Sequence, residues 1–238
     1  MKIIILTTQT IHHTYFVKKI TEHFDQVIVY CENLSNKSYP YEINHDFESR
    51  RIGFELDKWA LNEIDGIEKY AETKYFTSLN CEESLISLKN ENADIAIGFG
   101  TGLLSKKLLD IFHNSIFNLH GGDPSRYRGL DSHLWAIYHR DFSSLTSTLH
   151  CMDQSFDKGN IVIQGDLKIT NGMPIESLRS VNTEMCIQMS IAMINCAKTI
   201  YPLPSRKLLQ IGRYYSAMPA VLKGICEQNF KNYVSDID

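Results

Sequence analysis

Short apolar bursts separated by amphipathic stretches set the rhythm of this chain. Lys2-Ile3-Ile4-Ile5-Leu6-Thr7-Thr8 is a β-branched run with no polar alternation, which suits a strand covered on both faces. Polar Gln9-Thr10 follows, and His12 to Phe24 has helical spacing. Gln26-Val27-Ile28-Val29-Tyr30-Cys31 is a second buried strand. Strand, helix and strand within about 30 residues make a βαβ opening.

The pattern then loosens. Glu32 to Ser49 is polar and irregular, and about Phe47 to Tyr70 is helical in period but rich in charge. Glu82–Asn90 predicts a short helix, Asp94–Gly100 a buried strand ending in glycines, Ser105–Phe112 a short helix and Ser115–His120 another strand. Leu130–Arg140 has helical spacing, Leu145–Met152 and Ile161–Ile169 are strand-like, and Met173–Thr199 is the longest helical pattern, stopped by Pro202 and Pro204. This alternation predicts an α/β fold on a largely parallel sheet. The expected organisation is a core over residues 1–204 and a small appendage over 205–238, packed on the core or on a second subunit. Ligands of such sheets bind beyond the carboxyl ends of the strands, here Thr7–Thr10, Gly98–Gly102 and Asn118–Gly129.

Composition narrows the partners. A formal charge of -4 over 238 residues gives no general attraction for nucleic acid. The six cysteines form no CxxC pair and read as buried, reduced thiols. No run approaches the ~18 apolar residues of a membrane span, and no secretory apolar region opens the chain, so no membrane partner and a cytoplasmic location are expected.

The densest polar cluster is Asn118-Leu119-His120-Gly121-Gly122-Asp123-Pro124-Ser125-Arg126-Tyr127-Arg128-Gly129. Asn118 and His120, two apart at a strand end, point to the same face. An amide donor and an imidazole there can address one carbonyl oxygen; they serve equally well as turn residues or satisfied polar groups. Arg126 and Arg128 suit phosphates or carboxylates, or ordinary surface ion pairs. Gly98-x-Gly100-x-Gly102 lacks the spacing of a dinucleotide fingerprint and reads as a tight turn before a helix. The histidines lack the spacing of a zinc site, and no metal is expected.

The series Asn118-x-His120, Tyr127-Arg128-Gly129, Trp135-Ala136-Ile137, Thr148-Leu149-His150-x-Met152-Asp153 and Asp157-x-Gly159-x-Ile161-x-x-Gln164 resembles the formyltetrahydrofolate-dependent formyltransferases. The likeness is strongest over about Asp94–Gln164. It implies a Rossmann-like core with a mixed, mostly parallel sheet, N10-formyltetrahydrofolate as co-substrate, and Asn118, His120 and Asp157 as the catalytic group. Folate-binding positions implied by the resemblance are Gly102, Leu103, Leu104 and Asp153.

Two departures bear on the acceptor. Gly121-Gly122-Asp123-Pro124-Ser125-Arg126 stands where most members carry Pro-Ser-Leu-Leu-Pro, and Leu130–Trp135 follows it; this form is similar to the branch acting on nucleotide-linked amino sugars. Thr8–Tyr15 replaces the phosphate-gripping Gly-Ser-Gly turn of the purine enzyme, and 238 residues leave no room for the further C-terminal domain of the tRNA enzyme. The expected acceptor is a nucleotide-linked amino sugar, best matched by dTDP-4-amino-4,6-dideoxyglucose for surface polysaccharide or O-antigen synthesis. GDP-perosamine, glycinamide ribonucleotide, aminoacyl-tRNA and a non-catalytic folate- or nucleotide-binding module are the alternatives. Arg126, Tyr127 and Arg128, with His12, His13 and Tyr15, are the candidate acceptor-binding residues, and the resemblance implies a homodimer.

Overall fold

The computed structural model describes residues 1–33, 38–62, 65–154 and 157–237. Its centre is a seven-stranded sheet ordered β3-β2-β1-β4-β5-β7-β8. The strands are β1 (Ile3–Thr7), β2 (Val27–Glu32), β3 (Glu72–Phe76), β4 (Ile95–Phe99), β5 (Ile116–His120), β7 (Thr146–Cys151) and β8 (Ile161–Asp166). β3 to β5 run parallel along that order, while β7 pairs antiparallel with both β5 and β8. Every residue of β1, β2 and β4 is buried, which explains their unbroken apolar runs: both faces are covered. β6 (Tyr127–Gly129) and β9 (Arg213–Tyr215) form a separate parallel pair.

Seven α-helices complete the described fold: α1 (Ile11–Thr21), α2 (Asp46–Trp59), α3 (Glu82–Glu91), α4 (Lys106–Ile111), α5 (Ser132–Tyr138), α6 (Leu178–Ala197) and α7 (Ala220–Ser235). α1 and α6 cover one face of the sheet, joining Phe16 and Ile20 to Ile3, Ile5, Phe117, Ile187 and Met193 in one buried cluster. α3 and α4 cover the other, where Leu88, Leu104 and Leu108 meet Ile4, Leu6 and Ile116. A third cluster sets Cys226 and Phe230 of α7 against Leu134 and Ile137 of α5. Residues 205–237 therefore pack on the body of the chain: Arg206 bridges to Ile161, β9 pairs with β6, and α7 seats on α5.

The sequence pattern misses three features. The helical stretch expected from Phe47 to Tyr70 ends at Trp59, where Ala60 takes a left-handed conformation (φ 49°) and closes the helix. The edge strand β3 has no apolar signature because Glu72 and Tyr75 stand exposed on it. The expected helix from Met173 begins only at Leu178, after a 3-10 turn over Ile175–Ser177. Among the described residues no helix is long and apolar enough to cross a membrane.

Candidate active site

Strand register sets the site. β5 ends on Asn118 and His120, and antiparallel pairing with β7 places His150 opposite Asn118 and Thr148 opposite His120. Side chains of such directly opposed residues come within reach of one another, and Asn118 Nδ2 lies 3.1 Å from His150 Nε2. Asp157 arrives from the loop between β7 and β8. Its backbone is left-handed (φ 51°), a conformation that Asp tolerates better than most residues.

Asp157 holds the group together and is itself 8% exposed. Its Oδ1 accepts from Asn118 Nδ2 at 3.3 Å and lies 3.5 Å from His120 Nδ1 and 3.4 Å from His150 Nε2. Its Oδ2 accepts from the Gly129 N–H at 2.9 Å. Burial works against ionisation, but His120, His150 and the Gly129 N–H outweigh it and hold the carboxyl well below the usual range. The Asp157 carboxylate thus lies between two imidazoles.

Hydrogen-bond chemistry places a proton on one nitrogen of each ring. A carbonyl only accepts, so His120 Nε2, 2.9 Å from the Tyr127 carbonyl, carries a proton there, and Nδ1 faces Asp157. In the same way His150 Nδ1 donates to the Cys151 carbonyl at 2.9 Å, and its Nε2 lies between Asn118 Nδ2 at 3.1 Å and Asp157 Oδ1 at 3.4 Å. His120 is thus oriented so that its Nδ1 edge can take up a proton beside a carboxylate. Asn118 presents an amide N–H2 whose two hydrogens are both aimed into this cluster.

Gly129 explains part of the Tyr127-Arg128-Gly129 sequence. Its φ is +89°, and a Cβ there would lie 2.3 Å from the Tyr215 carbonyl oxygen. Only glycine lets β6 approach β9 so closely while its N–H reaches Asp157.

A cavity of about 510 Å³ opens over the cluster. Asn118, His120 and Asp157 line it, as do Gly102, Leu103, Leu104 and Asp153 and, at another part of the wall, His12 and His13. The other expected acceptor-binding residues lie elsewhere. Tyr15 stacks on Trp59 with ring centroids 4.3 Å apart. Arg126 pairs with Asp141 at 2.9 Å and faces a separate hollow with Tyr127, His139, Arg213 and Tyr215. The buried Tyr127 ring stacks on Tyr215, so its contribution to the site is its backbone carbonyl. Arg128 Nε donates to the Gly212 carbonyl at 2.7 Å. The arginines that do line the cavity are Arg51 of α2 and Arg179 of α6. No local signal marks them, because helix packing brings them to the strand ends. His150 lies inside the Thr148-Leu149-His150 motif, and its place opposite Asn118 in the β5–β7 register brings it to the site.

His13 is 3% exposed, with Nδ1 2.9 Å from the Thr8 carbonyl. Its ring lies where a Cβ on Gly100 would sit (φ +78°), at 2.4 Å from that position. Burial lowers its pKa to about 3, with Arg179 adding to the fall and the Thr8 carbonyl opposing it. The unfolded chain takes a proton at His13 near pH ~6.5, the folded chain only near 3. Folding stability is therefore lost as pH falls through that window. Between pH 7 and pH 5 the loss from this residue is about 1–2 kcal/mol. Urea unfolding at the two pH values should show His13→Gln losing less stability than wild type by that amount; equal losses would remove His13 from the account.

Among the described residues no group of His, Cys, Asp and Glu side chains is arranged to hold a metal ion. The Formyl transferase family matches residues 60–189, more than half of the chain. This chain belongs to the formyl transferase family. A curated methionyl-tRNA formyltransferase of Agathobacter rectalis is 27% identical over 128 residues, 52% of this chain and 40% of that one, so the chain spans well under half of that relative. Among solved structures, a 4-N formyltransferase from Francisella tularensis superposes with a TM-score of 0.59 at 17% identity, covering 96% of this chain and 87% of that chain. An N-formyltransferase from Helicobacter canadensis, solved with folinic acid and dTDP-3-aminofucose, gives a TM-score of 0.52 at 17% identity over 91% of this chain and 71% of that chain. The two superpositions establish that this chain shares their fold.

Proposed function

We propose that this formyl transferase moves a formyl group from N10-formyltetrahydrofolate to the amine of a nucleotide-linked amino sugar. The observation that carries the reading is the joining of Asn118, His120 and Asp157 through one buried carboxylate at the mouth of the sheet. The Gly102–Leu104 turn with Met152 and Asp153 gives a partly apolar wall with backbone polar groups on the α3–α4 side, which fits a folate ring. The donor supplies an activated carbonyl carbon.

The protein's own groups do the rest. Asn118 Nδ2 turns from Asp157 to the formyl oxygen and donates as negative charge grows there. His120 Nδ1 accepts the proton that the sugar amine loses as its nitrogen bonds to the formyl carbon. Asp157 stabilises the resulting imidazolium and keeps the ring aimed. His120 then returns the proton as the bond between the formyl carbon and N10 breaks, so tetrahydrofolate leaves with one N–H more and the sugar carries a formamide. No covalent enzyme intermediate is needed.

The specific acceptor we propose is dTDP-4-amino-4,6-dideoxyglucose, serving surface polysaccharide or O-antigen synthesis by a cytoplasmic homodimer; GDP-perosamine is the nearest rival. The Helicobacter neighbour's dTDP-linked ligand supports the nucleotide. Formyl-transfer assays on a panel of nucleotide-linked amino sugars, with glycinamide ribonucleotide and methionyl-tRNA as controls, test the reading. Turnover on a dTDP-linked 4-amino sugar is the expected outcome. Turnover confined to a control would overturn it.

A further inference from the structure

The cavity has a second end that the chemistry above leaves unused. Where α1, α2 and α6 converge, it is lined by His12, Arg51 and Arg179. Arg179 is spoken for: its Nε donates to Glu55 Oε1 at 2.6 Å and its Nη2 to Oε2, and Glu55 is fully buried. Arg51 is not held in this way. Its ion pair is a 3.5 Å approach to Glu48, a carboxylate that Lys223 already grips at 2.9 Å. Arg51 Nε is buried and has no hydrogen-bond partner, a condition that costs about 1–3 kcal/mol unless something accepts from it.

The electrostatics agree. Burial, followed by the neighbouring Arg179, lowers the Arg51 pKa, while Glu48, Glu55 and Asp131 oppose the fall. Asp131, also in the lining, is engaged elsewhere, accepting from the Met218 N–H at 2.8 Å and facing Lys223 at 3.9 Å. His12 is tied at Nδ1 to Thr10 Oγ1, at 2.8 Å. A planar guanidinium that lines a partly enclosed pocket and holds only a long contact to a carboxylate suits a phosphate-type oxygen group.

We infer that Arg51, backed by Arg179 and His12, forms the subsite for the diphosphate of the acceptor. The proposal rests on the formyl-transfer reading for the identity of that acceptor, but its binding claim stands apart. It also moves the phosphates away from Arg126 and Arg128, which line no part of this cavity. The wall proposed for the folate ring lies on the other side of the sheet. Leu104 belongs to the core on the α3–α4 face of the sheet, whereas Arg51 and Arg179 stand on helices of the α1–α6 side.

Titration calorimetry with inorganic pyrophosphate, dTDP and folinic acid, on wild type, Arg51→Gln and Arg51→Lys, tests this. Arg51→Gln leaves Glu48 paired with Lys223, so the fold should persist, as a thermal melt on each variant would verify. Wild type should bind pyrophosphate and dTDP. Arg51→Gln should weaken both by about tenfold or more, Arg51→Lys should weaken them less, and folinic acid should bind all three alike. Unchanged dTDP affinity in Arg51→Gln, no binding of either phosphate ligand to wild type, or a loss confined to folinic acid would each overturn the subsite. If pyrophosphate binding depends on Arg51 while no amino sugar is formylated, the subsite stands and the formyl-transfer reading falls. If sugars are formylated with the same acceptor KM in Arg51→Gln, the reverse holds.

Discussion

Replacing Asn118 with alanine should lower kcat by about 10²- to 10³-fold, the usual cost of removing one donor from an oxyanion site. The donor is placed for that role: Asn118 Nδ2 sits 3.3 Å from Asp157 Oδ1 and 3.1 Å from His150 Nε2, at the end of a strand whose backbone is fixed by the sheet. Asp157 retains the Gly129 N–H, so the substitution leaves its anchor in place. The loss should fall on kcat more than on the KM of either substrate, since the interaction strengthens as charge develops. Steady-state formyl transfer under saturating donor and acceptor measures it. Full turnover by Asn118→Ala would leave the amide without a part in the chemistry.

The second large effect concerns stability. Glu55 on α2 is fully buried, and Arg179 on α6 meets both of its oxygens. Arg179→Met strips the counterion and leaves a buried carboxylate without its cation. Breaking a buried pair this way costs about 3–5 kcal/mol, which lowers the melting temperature by about 10 °C in a chain of this size. Removing both charges, as Arg179→Met with Glu55→Met, should recover most of the loss, because an apolar pair of similar volume pays no desolvation cost. Calorimetric unfolding of the two single variants and the double variant gives the coupling directly. Additive losses would show that the two groups do not act as a pair.

The comparison of sequence with structure divides along physical lines. Strands β1, β2 and β4 were legible because both faces are buried and every position must be apolar. Edge strand β3 was not, because a strand with one open side tolerates Glu72, Lys74 and Tyr75. The pairing of β6 with β9 joins residues more than eighty positions apart and leaves only Gly129 as its trace. Asn118 and His120 were legible from their spacing on one strand, and Asp157 only through the family motif, since its approach depends on a loop. The acceptor side was the least legible. A cluster such as Arg126-Tyr127-Arg128 is conspicuous because its members are adjacent, yet adjacency along the chain does not aim side chains at one cavity. Arg51 and Arg179 reach it because α2 and α6 both pack near the start of α1, a relation that no local pattern encodes.

The same division applies to the titrating groups. Asp157 is held ionised by two histidines and an amide N–H from three different elements. No one of those contacts is visible from the residues flanking Asp157. The lowered Asp157 pKa is thus a product of topology, and the proposed proton path through His120 depends on it.

The most direct test of the proposed transfer is a single-turnover reaction with enzyme in excess over N10-formyltetrahydrofolate and with dTDP-4-amino-4,6-dideoxyglucose as acceptor. Tetrahydrofolate and the sugar formamide are followed in the same sample, beside an enzyme carrying Asn118→Ala. The account predicts that the two products appear together and in equal amounts with wild type, at a rate the variant cannot approach. Release of tetrahydrofolate without the formamide, or equal rates from the two enzymes, would contradict it.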